Sequence, residues 1–216
     1  MPRILTARAV LLDMDGTLVD STSVVERLWL EWAAEHDIDA GAVLDVIHGR
    51  QGHESMAILL PDRDPAINQA QNQELLKAES SDTDGVVAVP GAADLLAALA
   101  DVPHAIVTSA DVSLMTARMD AAGLAIPVVR VTAENVERSK PDPEGFLHAA
   151  EKLGVAPGDC VVFEDSEAGI AAGLAAGMTV VGVGERAERQ GAIAVIPDLA
   201  AVAVRRLRHG VELDLV

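Results

Sequence analysis

Short apolar runs rich in Val and Ile recur along the chain, and most lead into a helical pattern. Residues 9–12 run into Asp13, 104–107 into Thr108-Ser109, and 128–131 into Thr132. Residues 160–163 run into Glu164-Asp165, and 178–183 into Gly184. Runs that are apolar at nearly every position predict strands covered on both faces. The intervening stretches predict helices. Pro90-Gly91 opens 92–100, Asp111 caps 112–122 ahead of Gly123, Pro143 opens 143–153 ahead of Gly154, and Ser166 caps 166–176 ahead of Gly177. Polar caps and terminal glycines are the usual helix punctuation. Strand alternating with helix predicts an α/β fold, a doubly wound parallel sheet with a Rossmann-like core.

One stretch breaks the alternation. From residue 21 to about residue 83 the pattern is helical throughout. Val24, Leu28 and Trp32 recur at spacing four with Trp29 beside them, and further helical patterns cover 41–47, 53–60 and 65–78. So long a connection ordinarily forms a unit of its own. The expectation is a helical cap domain, 20–85, inserted into a core domain of 1–19 and 86–216. Asp20-Ser21 leads out and 80–85 leads back. The Trp pair reads as helix core.

Composition narrows the function. The 216 residues are 50% hydrophobic and 23% charged, which fits a folded globular chain. The net charge of −18 disfavours nucleic acid and anionic membranes as partners. Only three lysines occur, Lys77, Lys140 and Lys152, so a lysine inside a motif carries more weight than usual. The single cysteine, Cys160, has no internal partner and reads as a small buried hydrophobe. No signal-peptide pattern and no membrane-length apolar run are evident, so a cytoplasmic location is expected. A monomer is the default, since no interface signature stands out.

Polar residues follow the predicted strands. In a parallel sheet these strand ends point one way, so Asp13/Asp15, Thr108/Ser109 and Glu164/Asp165 should converge at the ligand edge. Residues two apart in an extended segment share a side, so Asp13 and Asp15 face each other's charge unless a cation or a proton intervenes. Glu164 and Asp165 add two more acids. Carboxylate oxygens suit a hard divalent cation, which would offset four crowded acids. Thr108 and Ser109 offer hydroxyls and backbone amides of the kind that bind phosphate. Lys140 precedes Pro141, and the two prolines at 141 and 143 hold its segment outside a helix.

Together these clusters resemble the haloacid dehalogenase superfamily of phosphotransferases. Its pattern is an apolar strand into Asp-x-Asp-Gly-Thr, then a strand-end Thr/Ser, a Lys before Pro, and strand-end acids. Asp13-Met14-Asp15-Gly16-Thr17, Thr108-Ser109, Lys140-Pro141 and Glu164-Asp165 match in order over essentially the whole chain. The segments 13–21 and 163–170 resemble the subgroup with a helical cap after the first strand. Residues 25–29, 46–50 and 131–136 are similar to sugar-phosphate and polyol-phosphate phosphatases. The resemblance implies that Asp13 attacks phosphorus and forms an aspartyl phosphate. Asp15 then serves as acid and afterwards as base. Mg²⁺ would sit on Asp13, the Asp15 backbone carbonyl and Asp165, with Glu164 in or just outside that set. Thr108, Ser109 and Lys140 would hold the phosphoryl oxygens. The cap would select the substrate, a small-molecule phosphate ester, with His48, Gly49 and Arg50 as candidates, followed by Gln51 and His53.

A sugar phosphomutase resembling beta-phosphoglucomutase is the main rival. Such mutases typically carry a histidine shortly after the first motif, and 20–25 has none. Dehalogenation fits less well, because Asp15, Gly16 and the last acidic pair suit metal and phosphate rather than halide. A non-catalytic protein on the same fold would be expected to have lost one of Asp13, Asp15, Lys140 or Asp165, and all four are present.

Overall fold

The computed structural model describes residues 3–216. In chain order its strands and helices are β1 (Arg3–Ala7), β2 (Ala9–Leu12), β3 (Val19–Asp20), α1 (Thr22–Glu35), α2 (Ala40–Leu44), α3 (Gly52–Leu59), α4 (Pro65–Ser81), β4 (Val87–Ala88), α5 (Ala92–Ala98), β5 (His104–Val107), α6 (Val112–Ala121), β6 (Val129–Val131), α7 (Glu144–Leu153), β7 (Cys160–Glu164), α8 (Glu167–Ala175), β8 (Thr179–Val183), β9 (Ala194–Ile196), β10 (Val202–Leu207) and β11 (Gly210–Leu215).

The central sheet has the order β6-β5-β2-β7-β8-β9. Every pairing in it is parallel. Its strands are mostly apolar because each face carries its own core. Val10, Leu12, Ile106, Val161 and Phe163 point into a cluster with α5 and α6. Ala9, Leu11, Ala105, Val107, Cys160 and Val162 point into a second cluster with α7 and α8. Alternate residues of a strand face opposite sides, so each short strand feeds both layers. The sequence-predicted strands and helices of this unit all form. Asp111 accepts from the Leu114 amide at 2.8 Å and Ser166 from that of Gly169 at 3.1 Å, which fixes the starts of α6 and α8.

A three-stranded antiparallel sheet, β1-β11-β10, lies beside this unit and was not expected from the continuous apolar runs. Val211, Leu213 and Leu215 bury its inner face against the first cluster.

Helices α1 to α4 follow one another between β3 and β4, as the helical stretch predicted. They share a separate apolar cluster of Trp29, Trp32, Ala33, Val43, Ile47, Met56 and Leu75. The two tryptophans meet edge to face with centroids 5.4 Å apart, so the pair is core. The chain leaves and returns side by side, because β3 and β4 pair antiparallel, Val19 opposite Ala88. The return differs from the expected 80–85 linker. Ser80 and Ser81 complete α4, their hydroxyls bonding back to the carbonyls of Leu76 and Lys77.

Candidate active site

The order of the central sheet reverses at β2. From there the chain builds outward to β5 and β6 on one side and to β7, β8 and β9 on the other. Ligands of open α/β sheets bind beyond the strand ends at such a switch point. Asp13 follows β2, Thr108 follows β5, and Glu164 ends β7 with Asp165 next. The three strand ends bring Asp13, Thr108, Glu164 and Asp165 to one edge of the sheet.

Asp13, Glu164 and Asp165 are all buried, and each offers an oxygen within 4.8 Å of the others, an arrangement able to hold a metal ion. Lys140 reaches in from the loop before α7. Its ammonium donates to Asp13 Oδ1 at 2.5 Å and to Glu164 Oε1 at 2.7 Å, and lies 5.3 Å from the Phe146 ring centroid. Three buried carboxylates therefore face one buried ammonium. Arg186 is the next cation, 3.8 Å from Asp165 and partly exposed. Burial, followed by the charge of Glu164, pushes the Asp13 carboxyl up to about 8. The same two causes raise Asp165 well above the usual carboxylate range. Burial works against the Lys140 ammonium, yet the charges of Asp13 and Glu164 raise its pKa overall. The excess of buried negative charge and the all-oxygen donor set fit a hard divalent cation.

Glu164 is committed on both oxygens. Oε1 accepts from Lys140, and Oε2 accepts from the Ser166 amide at 2.7 Å and the Ser166 hydroxyl at 3.0 Å. It orients Lys140 and the start of α8. Gly16 is also required by close approach. Its φ is +86°, and a Cβ there would lie 2.1 Å from Asp165 Oδ2.

The side chain of Asp15 stands apart from the acidic cluster. Its Oδ1 accepts from the Ser21 hydroxyl at 2.7 Å and lies 2.8 Å from Arg118 Nη1. Thr108 and Ser109 line the same cavity. Thr108 Oγ1 accepts from the Ala110 amide at 3.1 Å, and the Ser109 hydroxyl donates to the Gly49 carbonyl at 3.2 Å.

The cavity, about 80 Å³ in volume, lies between the sheet edge and the helical insertion. His48, Gly49 and Arg50 line it, as do Trp29, Asn72 and Glu79. Burial, then the charge of Arg186, lowers the His48 imidazole to about 4, so it is neutral at physiological pH. Gly49 lies directly on the core: at φ +79° its Cβ would sit 2.1 Å from Ser166 Oγ. Ser139 also hydrogen-bonds Glu54 across the same junction. Gln51 and His53 line separate depressions on the flank near Ser139 and Lys140.

Sequence reasoning missed Arg118, Glu79, Ser21 and Arg186. Two of them carried a signal. Arg118 falls in the buried stripe of α6 with Leu114, Met115 and Met119. Glu79 falls in that of α4 with Asn68, Asn72 and Leu75. A charge inside a buried stripe has to meet a partner.

Fold and site together define an α/β enzyme of the phosphoryl-transfer type, with its acids at the switch point and a helical insertion lining the same cavity. The comparisons agree. A model of haloacid dehalogenase-like hydrolases matches residues 7–177. Hexitol phosphatase A of Escherichia coli (strain K12) is 44% identical over 183 residues, covering 84% of this chain and 85% of that protein. Glycerol-1-phosphate phosphohydrolase 2 of Saccharomyces cerevisiae is 31% identical over 84% of this chain and 76% of that protein. Among solved structures, a hydrolase from Pseudomonas syringae superposes with a TM-score of 0.81 at 26% identity, over 90% of this chain and 94% of that one. The chain belongs to the haloacid dehalogenase-like hydrolase family.

Proposed function

We propose that the protein is a Mg²⁺-dependent phosphatase of small sugar or polyol phosphates, working through an aspartyl phosphate on Asp13. The observation that carries this reading is the buried Asp13, Glu164, Asp165 cluster at the switch point, with Lys140 spanning Asp13 and Glu164. The hexitol and glycerol phosphatases among its relatives support the substrate class. Asp13 and Asp165 would hold the cation, and Glu164 would act mainly by holding Lys140. When bound, Mg²⁺ supplies positive charge to the phosphate and to the attacking carboxylate.

Asp13 is the nucleophile. Lys140, at its Oδ1, neutralises the phosphoryl oxygens as the carboxylate approaches. Thr108 and Ser109 give further donors beside Asp13. Asp15 has its Oδ1 held by Ser21 and Arg118, and no described residue bonds its Oδ2. That free oxygen protonates the departing alkoxide and later takes a proton from water. Two displacements let one acid/base serve both steps. Residues 20–85 act as a cap over the core of 1–19 and 86–216. Within the cap, neutral His48, Arg50, Asn72 and Trp29 shape the side of the cavity away from the acids, where the hydroxyls of a polyol chain would lie.

A panel of hexitol, glycerol and hexose phosphates, with and without Mg²⁺, tests this reading. The expected result is Mg²⁺-dependent release of inorganic phosphate, highest on polyol or sugar phosphates. Isomerisation without phosphate release would replace it with the mutase. No turnover on any ester would remove it.

A further inference from the structure

Arg118 joins a carboxylate on the helical insertion to Asp15. Its side chain is almost wholly buried on α6. Nη1 lies 2.8 Å from Asp15 Oδ1, and Nη2 donates at 2.5 Å to Oε2 of Glu79, itself buried on α4. The order is cap carboxylate, core guanidinium, acid/base carboxylate.

Three features give this chain a function beyond filling space. Apolar side chains would fill the α4–α6 contact without the desolvation that the buried charges of Arg118 and Glu79 require. The planar guanidinium fixes the direction of both carboxylates, which a lysine ammonium would not do. Both Asp15 contacts, from Arg118 and from Ser21, fall on Oδ1, and Asp15 lines the cavity.

The geometry points to Arg118 as a positioning residue that aims Asp15 Oδ2 at the leaving-group oxygen, with Glu79 holding Arg118 in place, so that the acid/base is aligned only when α4 of the insertion is docked on α6. The inference rests on the phosphatase reading and on Asp15 as the acid/base. It predicts that the first displacement depends on Arg118 for substrates needing a proton on the leaving group and not for substrates that leave unprotonated, while hydrolysis of the intermediate depends on it for both. An alkoxide from a polyol phosphate needs that proton, whereas 4-nitrophenolate does not.

The test uses the full chain with Mg²⁺ and the variants Arg118→Lys, Glu79→Gln and Asp15→Asn, each checked for folding by circular dichroism. Arg118→Lys keeps the buried positive charge and Glu79→Gln keeps the shape, so both leave a foldable protein; Arg118→Met is a harsher third. On sorbitol 6-phosphate, Arg118→Lys and Glu79→Gln should lower kcat by about 10- to 100-fold, the usual loss for a reacting group moved by an ångström. KM should stay within about threefold, the pattern of an interaction made in the transition state. The first-turnover burst of nitrophenolate from 4-nitrophenyl phosphate should persist, because Asp13 still attacks. Adding Arg118→Lys to Asp15→Asn should cause no further loss. Equal losses in burst and polyol turnover, a change in KM alone, or additive losses in the double variant would overturn the inference. Absence of phosphate release by the unaltered protein from either substrate would instead count against the phosphatase reading itself.

Discussion

Gly169 lies in the first turn of α8, directly over the Glu164 carboxylate. A Cβ at position 169 would lie 1.7 Å from Glu164 Oε1 and 2.0 Å from its Cδ. Glu164 has no room to withdraw: it is fully buried and held by Lys140 and by the amide and hydroxyl of Ser166. Gly169→Ala must therefore tear the carboxylate from these donors. Breaking a buried ion pair costs about 3–5 kcal/mol. Replacing glycine by alanine in a helix returns about 1 kcal/mol. The net effect is a loss of about 2–4 kcal/mol, and at roughly 2–4 °C per kcal/mol for a chain of this size Tm falls by about 4–16 °C. Activity falls as well, because Lys140 loses one of its two anchors. Thermal unfolding by circular dichroism in Mg²⁺ measures the first effect and phosphate release the second. Gly158, with open space around its Cβ position, is the control, and Gly158→Ala should stay within about 0.5 kcal/mol of the unaltered protein. A Gly169→Ala variant as stable and active as the parent would refute the assignment of Glu164 as the support of Lys140.

Three more outcomes follow from the same geometry. Gly49→Ala places a methyl group against Ser166 at a φ of +79°, a backbone strain of about 1–2 kcal/mol, so kcat/KM should drop about tenfold as the insertion fails to seat; unchanged kcat/KM would contradict that contact. The acidic cluster makes stability depend on pH in a direction set by its raised carboxyls. Without a cation, folded Asp13 keeps a proton up to about pH 8, whereas the unfolded chain releases it near its ordinary 3.8. Its contribution is therefore complete below that lower value and lost as pH rises through about 8, and a cation reverses the trend because it binds the carboxylates. The rise in Tm on replacing chelator by Mg²⁺ should grow from about pH 5 to about pH 9, and a flat or falling rise would contradict the cluster as the metal site. Lys140→Met leaves Asp13, Glu164 and Asp165 buried without their principal cation, so Tm in chelator should fall by more than in saturating Mg²⁺. Equal falls would separate Lys140 from the acids.

Much of this was readable before any coordinates. The central strands are short, mostly apolar runs, which is how two-sided burial looks in sequence, and their polar ends marked the site. Asp13, Thr108, Glu164 and Asp165 meet because a parallel sheet sends strand ends to one edge, and Lys140 reaches them from the loop before α7. The sheet β1-β11-β10 escaped for a physical reason. Only one of its faces is buried, so Val211, Leu213 and Leu215 alternate with Glu212 and Asp214, and a search for continuous apolar runs passes over them. Sequence also offers Gln51 and His53 after His48, Gly49 and Arg50, but those two line separate depressions on the flank. Arg118 and Glu79 lie 39 residues apart. The stripe pattern shows that each needs a partner, but only the packing of α4 on α6 shows that they have each other and Asp15.

The most direct test of the central claim is chemical capture of the phosphorylated side chain. The protein is mixed with substrate and Mg²⁺, quenched, reduced with borohydride and mapped by mass spectrometry, since reduction converts an aspartyl phosphate to homoserine. The account predicts homoserine at position 13, absent without substrate and absent in Asp13→Asn. Homoserine at another position, or full turnover by Asp13→Asn, would contradict it.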